Sequence, residues 1–199
     1  MSLQQELTDE RNRRFLTLLK PIDADCQRWA YNLAGDVQDA EDVYAQSILT
    51  GLEHIHQLKN DAAFKTWMFR VILNTHRQRI RQQKRVPQPM EQGELERAGP
   101  RDDEWVERSE RSAVVRRVLQ RLSQDQRQAL VLFEREELSI RDVSEVMGKK
   151  EGAVRVLLTR ARTRMVGLLK HEGISPELKP GEGDEGDDEV YTADNNDGS

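Results

Sequence analysis

Apolar residues along this chain recur at three and four positions, and no stretch alternates with the period of two that a half-buried strand requires. The pattern predicts an all-α protein. Phe15, Leu16, Leu18 and Leu19 mark a first helix that Pro21 interrupts. Ile22, Cys26, Trp29, Ala30 and Leu33 form a second stripe, ended by Gly35. From Asp39 a third helix carries Ala40, Val43, Tyr44, Ser47, Ile48, Gly51, Leu52 and Ile55 on one face. After a polar break at residues 57–61, a fourth helix carries Phe64, Trp67, Met68, Val71, Ile72 and Thr75. Phe69 and Leu73 lie off that face, so Phe69 is free to meet a base or a partner. These four helices predict a first module over residues 8–85.

Residues 86–112 break the pattern. Pro87, Pro89, Gly93, Gly99 and Pro100 stand among Glu91, Glu94, Glu96, Asp102, Asp103, Glu104 and Glu107, the composition of a flexible acidic linker. Trp105 sits oddly there and marks the approach of the next helix. A second module over 113–170 begins with Val114, Val115, Val118, Leu119 and Leu122. Ser123 with Gln126 predicts a capping box for a helix carrying Leu130, Val131 and Phe133. Ser139 with Asp142 predicts another start, and Gly148 ends that helix before a long final one. Residues 171–199 hold ten acids and one lysine, the composition of a disordered tail.

Ile140 to Leu158 has the parts of a helix-turn-helix. Ile140, Val143 and Met147 face inward, Ser144 is small enough for close helix approach, and Gly148 suits a turn that needs positive φ. Val154, Leu157, Leu158, Ala161 and Met165 then form a buried stripe. Gly152, Arg155, Val156, Thr159 and Thr163 fall opposite, flanked by Glu151 and Arg162. Such a face fits the major groove. Arg155 can donate two hydrogen bonds to guanine, and Val156 can pack on a thymine methyl. Lys149, Lys150, Arg160, Arg162 and Arg164 are placed to bind phosphates. The bland alternative is a helical hairpin with a solvated basic face. A second polar stripe, Arg70, Asn74, Arg77, Arg81 and Lys84, follows the fourth helix at spacings of 4, 3, 4 and 3, with Arg79 and Arg85 nearby. It can track a nucleic-acid backbone or simply be a solvated face.

Net charge is −5, which argues against nucleic acid until it is divided. The tail alone carries −9, so the first 170 residues carry +4, and local charge decides contact with phosphate. The single cysteine excludes an intrachain disulfide and fits a reducing compartment. No apolar run is long enough to cross a membrane and the N-terminus lacks a signal core, so the expectation is a cytoplasmic protein without membrane insertion. Cys26 reads as a small core residue. His54 and His56, two apart on a helix, diverge too far to share a metal. No nucleophile–base pair, phosphate loop or carboxylate cluster suggests catalysis, and no cofactor is expected.

Taken together, Asp39-Ala-Glu-Asp-Val, Phe64-Lys-Thr-Trp-Met-Phe-Arg-Val-Ile-Leu-Asn74, Leu122-Ser-Gln-Asp-Gln-Arg-Gln-Ala-Leu130, Glu151-Gly-Ala-Val-Arg155 and Arg160-Ala-Arg162 resemble the extracytoplasmic-function (ECF) sigma factors of bacterial RNA polymerase, the small sigma-seventy proteins with regions 2 and 4 alone. The order and spacing of these segments, over about residues 10–170, carry the resemblance. It implies that the third helix, with outward Asp42, Gln46, Leu49 and Glu53, docks on the clamp helices of the largest subunit of core RNA polymerase. It implies that the fourth helix and the 57–61 loop open promoter DNA at the minus-10 element, where Lys59, Asn60 and Asp61 are candidates for a base pocket. The helix-turn-helix then reads the minus-35 element, and the acidic linker threads near the active centre. An anti-sigma factor is a partner the family often uses. The chain departs from the family pattern at Gln46, Gln78, Ala153, Val156 and Leu157. Two other classes stay open. One is a helix-turn-helix transcriptional regulator whose first module dimerises or senses a signal. The other is a small DNA-processing enzyme, which would need a catalytic residue in the first module. The tail either competes with DNA for Arg155, Arg160 and Arg162 or only solubilises the chain.

Overall fold

The computed structural model describes residues 3–83 and 110–173, and among them every regular element is helical. The helices are α1 (Leu3–Leu19), α2 (Asp23–Ala34), α3 (Val37–His54), α4 (Phe64–Gln83), α5 (Glu110–Gln120), α6 (Gln124–Leu130), α7 (Ile140–Met147) and α8 (Glu151–His171). Lys84, Arg85, Trp105, most of the predicted linker and nearly all of the acidic tail lie outside the described residues.

Local chemistry sets the boundaries. Pro21 falls in a 3₁₀ turn, Lys20–Ile22, between α1 and α2, where its missing N–H costs no helical bond. Gly35 closes α2 at φ 86°, donating its N–H to Tyr31 O. Asp36 then caps α3 by accepting from Asp39 N at 2.8 Å, so this helix starts two residues earlier than its apolar stripe suggests. Ser123 and Gln126 form a reciprocal capping box at the start of α6. Ser139 Oγ accepts from Asp142 N at 3.1 Å at the start of α7.

The first module closes around aromatic contacts. Phe15 of α1 meets Phe64 of α4 edge-on at 5.6 Å, and Trp29 of α2 stacks on Phe69 at 5.9 Å. Trp29 also donates its indole N–H to Phe69 O at 3.1 Å, so its polar atom is satisfied inside the core. Cys26 is fully buried, and burial pushes its thiol well above the usual range. Trp67 is only half-buried, at the edge of a core that takes Phe64 and Met68 fully.

Phe69 and Leu73, off the expected core face of α4, are both completely buried. Trp29 of α2 covers Phe69, and α4 packs against α2, against α3 and also against α7 of the second module. The apolar cluster runs unbroken from Phe15 through Leu73 to Val143 and Leu158. The two modules are therefore joined through α4 and do not stand apart. α6 is also shorter than expected. After Leu130 the chain widens into a π turn, Val131–Arg135, with Glu136 N donating to Val131 O at 3.1 Å. Glu137 follows at φ 54°, which returns Leu138 to the core.

One close approach tests this packing. A Cβ on Gly51 of α3 would lie 2.7 Å from Phe15 Cε2 and 3.3 Å from Met68 Sδ. We expect Gly51→Ala to destabilise the chain by about 1–3 kcal/mol in chemical denaturation despite its better helix propensity. Stabilisation instead would show that Phe15 moves aside freely.

Candidate nucleic-acid interface

The helix-turn-helix is built from caps and a single glycine. Gly148 ends α7 at φ 67°, with its N–H on Ser144 O, and Lys149 N reaches the same carbonyl at 3.0 Å. A residue with a side chain there is strained even though nothing crowds the position. Val143, Val146 and Met147 face inward on α7, with Ile140 at the margin; Val146 was missing from the sequence-derived set. On α8, Val154, Leu158 and Ala161 are buried, and Leu157 and Met165 pack partly against them.

Rotation then leaves Glu151, Gly152, Arg155, Val156, Thr159, Arg160, Thr163 and Arg164 exposed. Val156 keeps 47% of its accessible surface. Arg155 has only a loose contact with Glu151, at 3.9 Å one turn away. Thr159 is exposed and donates its hydroxyl to Arg155 O at 3.1 Å.

Two candidate phosphate ligands are engaged within the fold. Arg162 contacts Glu134 Oε1 through Nε at 3.0 Å and Nη2 at 2.6 Å, and its guanidinium lies 5.4 Å from the Phe133 ring centre. Lys149 pairs with Asp125 at 3.0 Å. Lys150 remains exposed.

The second stripe lies on the exposed part of α4. Arg70, Asn74 and Arg81 are exposed, whereas Arg77 is half-buried and places both terminal nitrogens 3.5 Å from Met147 O. That carbonyl ends α7, where the helix dipole attracts a cation. The stripe thus runs up to the turn of the helix-turn-helix. Arg79 lies on another side and pairs with Asp39 at 2.5 Å and Asp42 at 2.9 Å on α3. Beside it His76 is buried; burial, with Arg77 and Arg79 adding to it against Asp39, holds its ring below the usual imidazole range. On α3, Asp42, Gln46, Leu49 and Glu53 form an exposed row, with Leu49 at 56%. In the 57–61 loop Lys59 and Asn60 are exposed, while Asp61 is held by Arg14 of α1.

A polar junction between the modules was not visible in the sequence. Lys65 of α4 contacts Asp25 of α2 at 3.0 Å, and Glu136 of the second module through its carbonyl at 3.2 Å and its carboxylate at 3.7 Å. Thr66 donates to Asp142 at 3.1 Å. Burial raises the Glu136 carboxyl above the usual carboxylate range, and Asp25 pushes the same way against Lys65, Arg28 and Arg135. Burial also opposes ionisation of Asp25, but Lys65 and Arg28 outweigh it and hold that carboxyl low.

The chain resembles known proteins in sequence and in fold. The family described as Sigma-70 region 2 matches residues 24–86, and the family described as Sigma-70, region 4 matches residues 112–165. The ECF RNA polymerase sigma factor SigM of Mycobacterium tuberculosis is 31% identical over 132 residues, 66% of this chain and 65% of that protein's length. The RNA polymerase sigma-H factor of Pseudomonas aeruginosa is 33% identical over 138 residues, 64% of this chain and 71% of that one. Two solved structures share the fold: the sigma factor RpoE bound to the anti-sigma factor NepR from Bartonella quintana (TM-score 0.61, 21% identity, 78% of this chain and 96% of that one), and CnrH bound to the cytosolic domain of CnrY (TM-score 0.59, 21% identity, 83% and 96%).

The junction makes an asymmetric expectation. Lys65→Met leaves the Asp25 and Glu136 carboxylates facing each other, and we expect it to cost about 1–3 kcal/mol and to lengthen the distance between dyes placed on α2 and α8. Glu136→Gln removes the buried charge and should leave that distance unchanged, with stability equal or higher. Equal behaviour of the two variants would show that Lys65 does not hold the modules together.

Proposed function

Because the chain belongs to the extracytoplasmic-function sigma factors of the sigma-70 family, we propose that it binds core RNA polymerase in the cytoplasm and directs it to specific promoters. The outward face of α8 carries the reading: Arg155, Val156 and Arg160 stay exposed on a helix whose opposite side is sealed in the core. In this reading α8 enters the major groove at the minus-35 element. Arg155 donates to a guanine edge, Val156 meets a thymine methyl, and Lys150, Arg160 and Arg164 set the register on phosphates. Lys149 and Arg162 contribute charge from fixed positions, since each already holds an acid of its own module.

The exposed strip of α4 follows the separated strand at the minus-10 element through Arg70, Asn74 and Arg81, and the 57–61 loop takes a base. Lys84 continues the same spacing. Polymerase docking falls to the α3 row, where Leu49 supplies apolar contact and Asp42, Gln46 and Glu53 suit a basic partner surface. Asp42 enters that role already aligned by Arg79. An anti-sigma protein, of the kind present in the solved RpoE–NepR complex, is a further expected partner. The work done is binding and DNA opening; no bond of a substrate is made or broken by this chain.

Run-off transcription tests the core of the proposal. Core polymerase with this chain should initiate at defined start points on promoter duplexes where core alone does not. A helix-turn-helix regulator would bind such duplexes without licensing core polymerase. Arg155→Ala should weaken minus-35 binding by about 1–3 kcal/mol and relax preference at one base pair. A uniform loss over all sequences would instead make Arg155 a phosphate ligand. Leu49→Asp should reduce affinity for core polymerase while isolated binding of minus-35 duplex persists; unchanged polymerase affinity would place docking elsewhere.

A further inference from the structure

α1 supplies one side chain to the loop between α3 and α4. Arg14 donates through Nε to Asp61 Oδ1 at 3.0 Å, through Nη2 to the same oxygen at 2.5 Å, and through Nη2 to Leu58 O at 3.0 Å. A single guanidinium therefore ties both ends of residues 58–61. Each end is fixed a second time. Leu58 is buried in the core with an extended backbone. Asn60 is extended too, and its side chain accepts from Ala62 N at 3.0 Å to start the turn Asp61–Ala63. Between the two ties, Lys59 and Asn60 project as a two-residue exposed tip.

This arrangement is poorly explained by stability. The side chains of Arg14 and Asp61 keep 39% and 54% of their exposure, a range in which an ion pair contributes little to folding. Its larger consequence is directional, since a planar fork holding two acceptors fixes orientation where a flexible ammonium would not. The pairing also offsets the Asp61 charge, which would otherwise repel an approaching phosphate backbone.

We propose that Arg14 is the positioning residue of the minus-10 loop. It pre-orders Lys59 and Asn60 so that capture of a single-stranded base does not have to order the loop at the same moment. It acts through Leu58 O and Asp61 and makes no DNA contact itself, and Asp61 is an anchor of the tip, not a base reader. The proposal rests on the reading of the 57–61 loop given above.

The test uses the full chain assembled with core polymerase and a pool of linear promoter duplexes randomised across the minus-10 region, with open complexes selected and sequenced. Arg14→Gln should flatten base preference at a minus-10 position by roughly tenfold. Arg14→Lys, which keeps the charge without the fork, should recover only the smaller part of it that comes from offsetting Asp61, and the melting temperature of either free variant should move by no more than about 2 °C. Arg14→Gln combined with Asp61→Asn should be no worse than the stronger single change, as expected of one shared interaction. Unchanged preference in Arg14→Gln overturns the proposal if Lys59→Ala or Asn60→Ala does flatten it. If neither Lys59→Ala nor Asn60→Ala alters preference, the loop reading itself fails and the proposal falls with it. A clear loss of thermal stability with equally reduced yield at every sequence makes Arg14 merely structural, which also overturns it.

Discussion

The burial of α4 is the constraint on which the rest of the structure depends. Phe64, Thr66, Met68, Phe69, Ile72, Leu73 and His76 are all buried along it. A helix apolar over so much of its circumference must be covered on several sides, and α2, α3 and α7 together cover it. Little circumference is left over. The exposed strip takes Arg70, Asn74, Gln78 and Arg81, so the positions able to meet a nucleic acid are defined by what packing leaves free. The same crowding disfavours the charged form of His76, since a charge there would lack water to stabilise it and stands near Arg77 and Arg79.

Ten of the described cations fall into two groups. Arg14, Lys65, Arg79, Lys149 and Arg162 each hold an acid on another element. Arg155, Arg160 and Arg164 lie on the outward side of α8, and Arg70 and Arg81 on that of α4. The first group acts on geometry: its pairs tie α1 to the 58–61 loop, α4 to α2 and α3, and the turn and helix of the helix-turn-helix to Asp125 and Glu134. The second group has its charge available to phosphate. This division explains how a chain of net charge −5 presents two basic surfaces, because field at a surface depends on the charges that remain uncompensated nearby.

The sequence made the local part of this legible. The capping box at Ser123, the cap at Ser139, the glycines at 35 and 148 and the two sides of α8 follow from a repeat of 3.6 and from short-range hydrogen bonding. Long-range pairings were not legible. Arg14 finds Asp61 across 47 positions, Thr66 finds Asp142 across 76, and Lys65 finds Glu136 across 71. Charge type and spacing say nothing about such partners, so Lys149 and Arg162 read from sequence like the exposed cations beside them. The π turn at Val131–Arg135 was hidden for a different reason, because Val131 and Phe133 continue the helical pattern of α6. One clue to the junction was present. Phe69 and Leu73 break the single-face pattern of α4, and a second apolar face calls for more than one packing partner: α2 covers Phe69 through Trp29, and α7 packs on α4 as well.

The packing of α4 on the chain's own helix-turn-helix has a thermodynamic consequence. The polar links across the junction (Lys65 to Glu136, Thr66 to Asp142, Arg77 to Met147 O) can be exchanged for water at modest net cost. The apolar contact of α4 with α7 cannot, since each large side chain returned to water costs about 1.5–3 kcal/mol. Glu136 even gains from separation, because its carboxylate recovers the solvent that burial denies it. The junction is thus held by its apolar part and loosened by its buried charge. With Lys65 in place, moving the two modules apart is favourable only when something else covers the uncovered face of α4, and any ligand that does so shifts the arrangement by its differential affinity for the separated form. Contact at one surface of this protein therefore bears on the geometry of the other, through a single helix common to both.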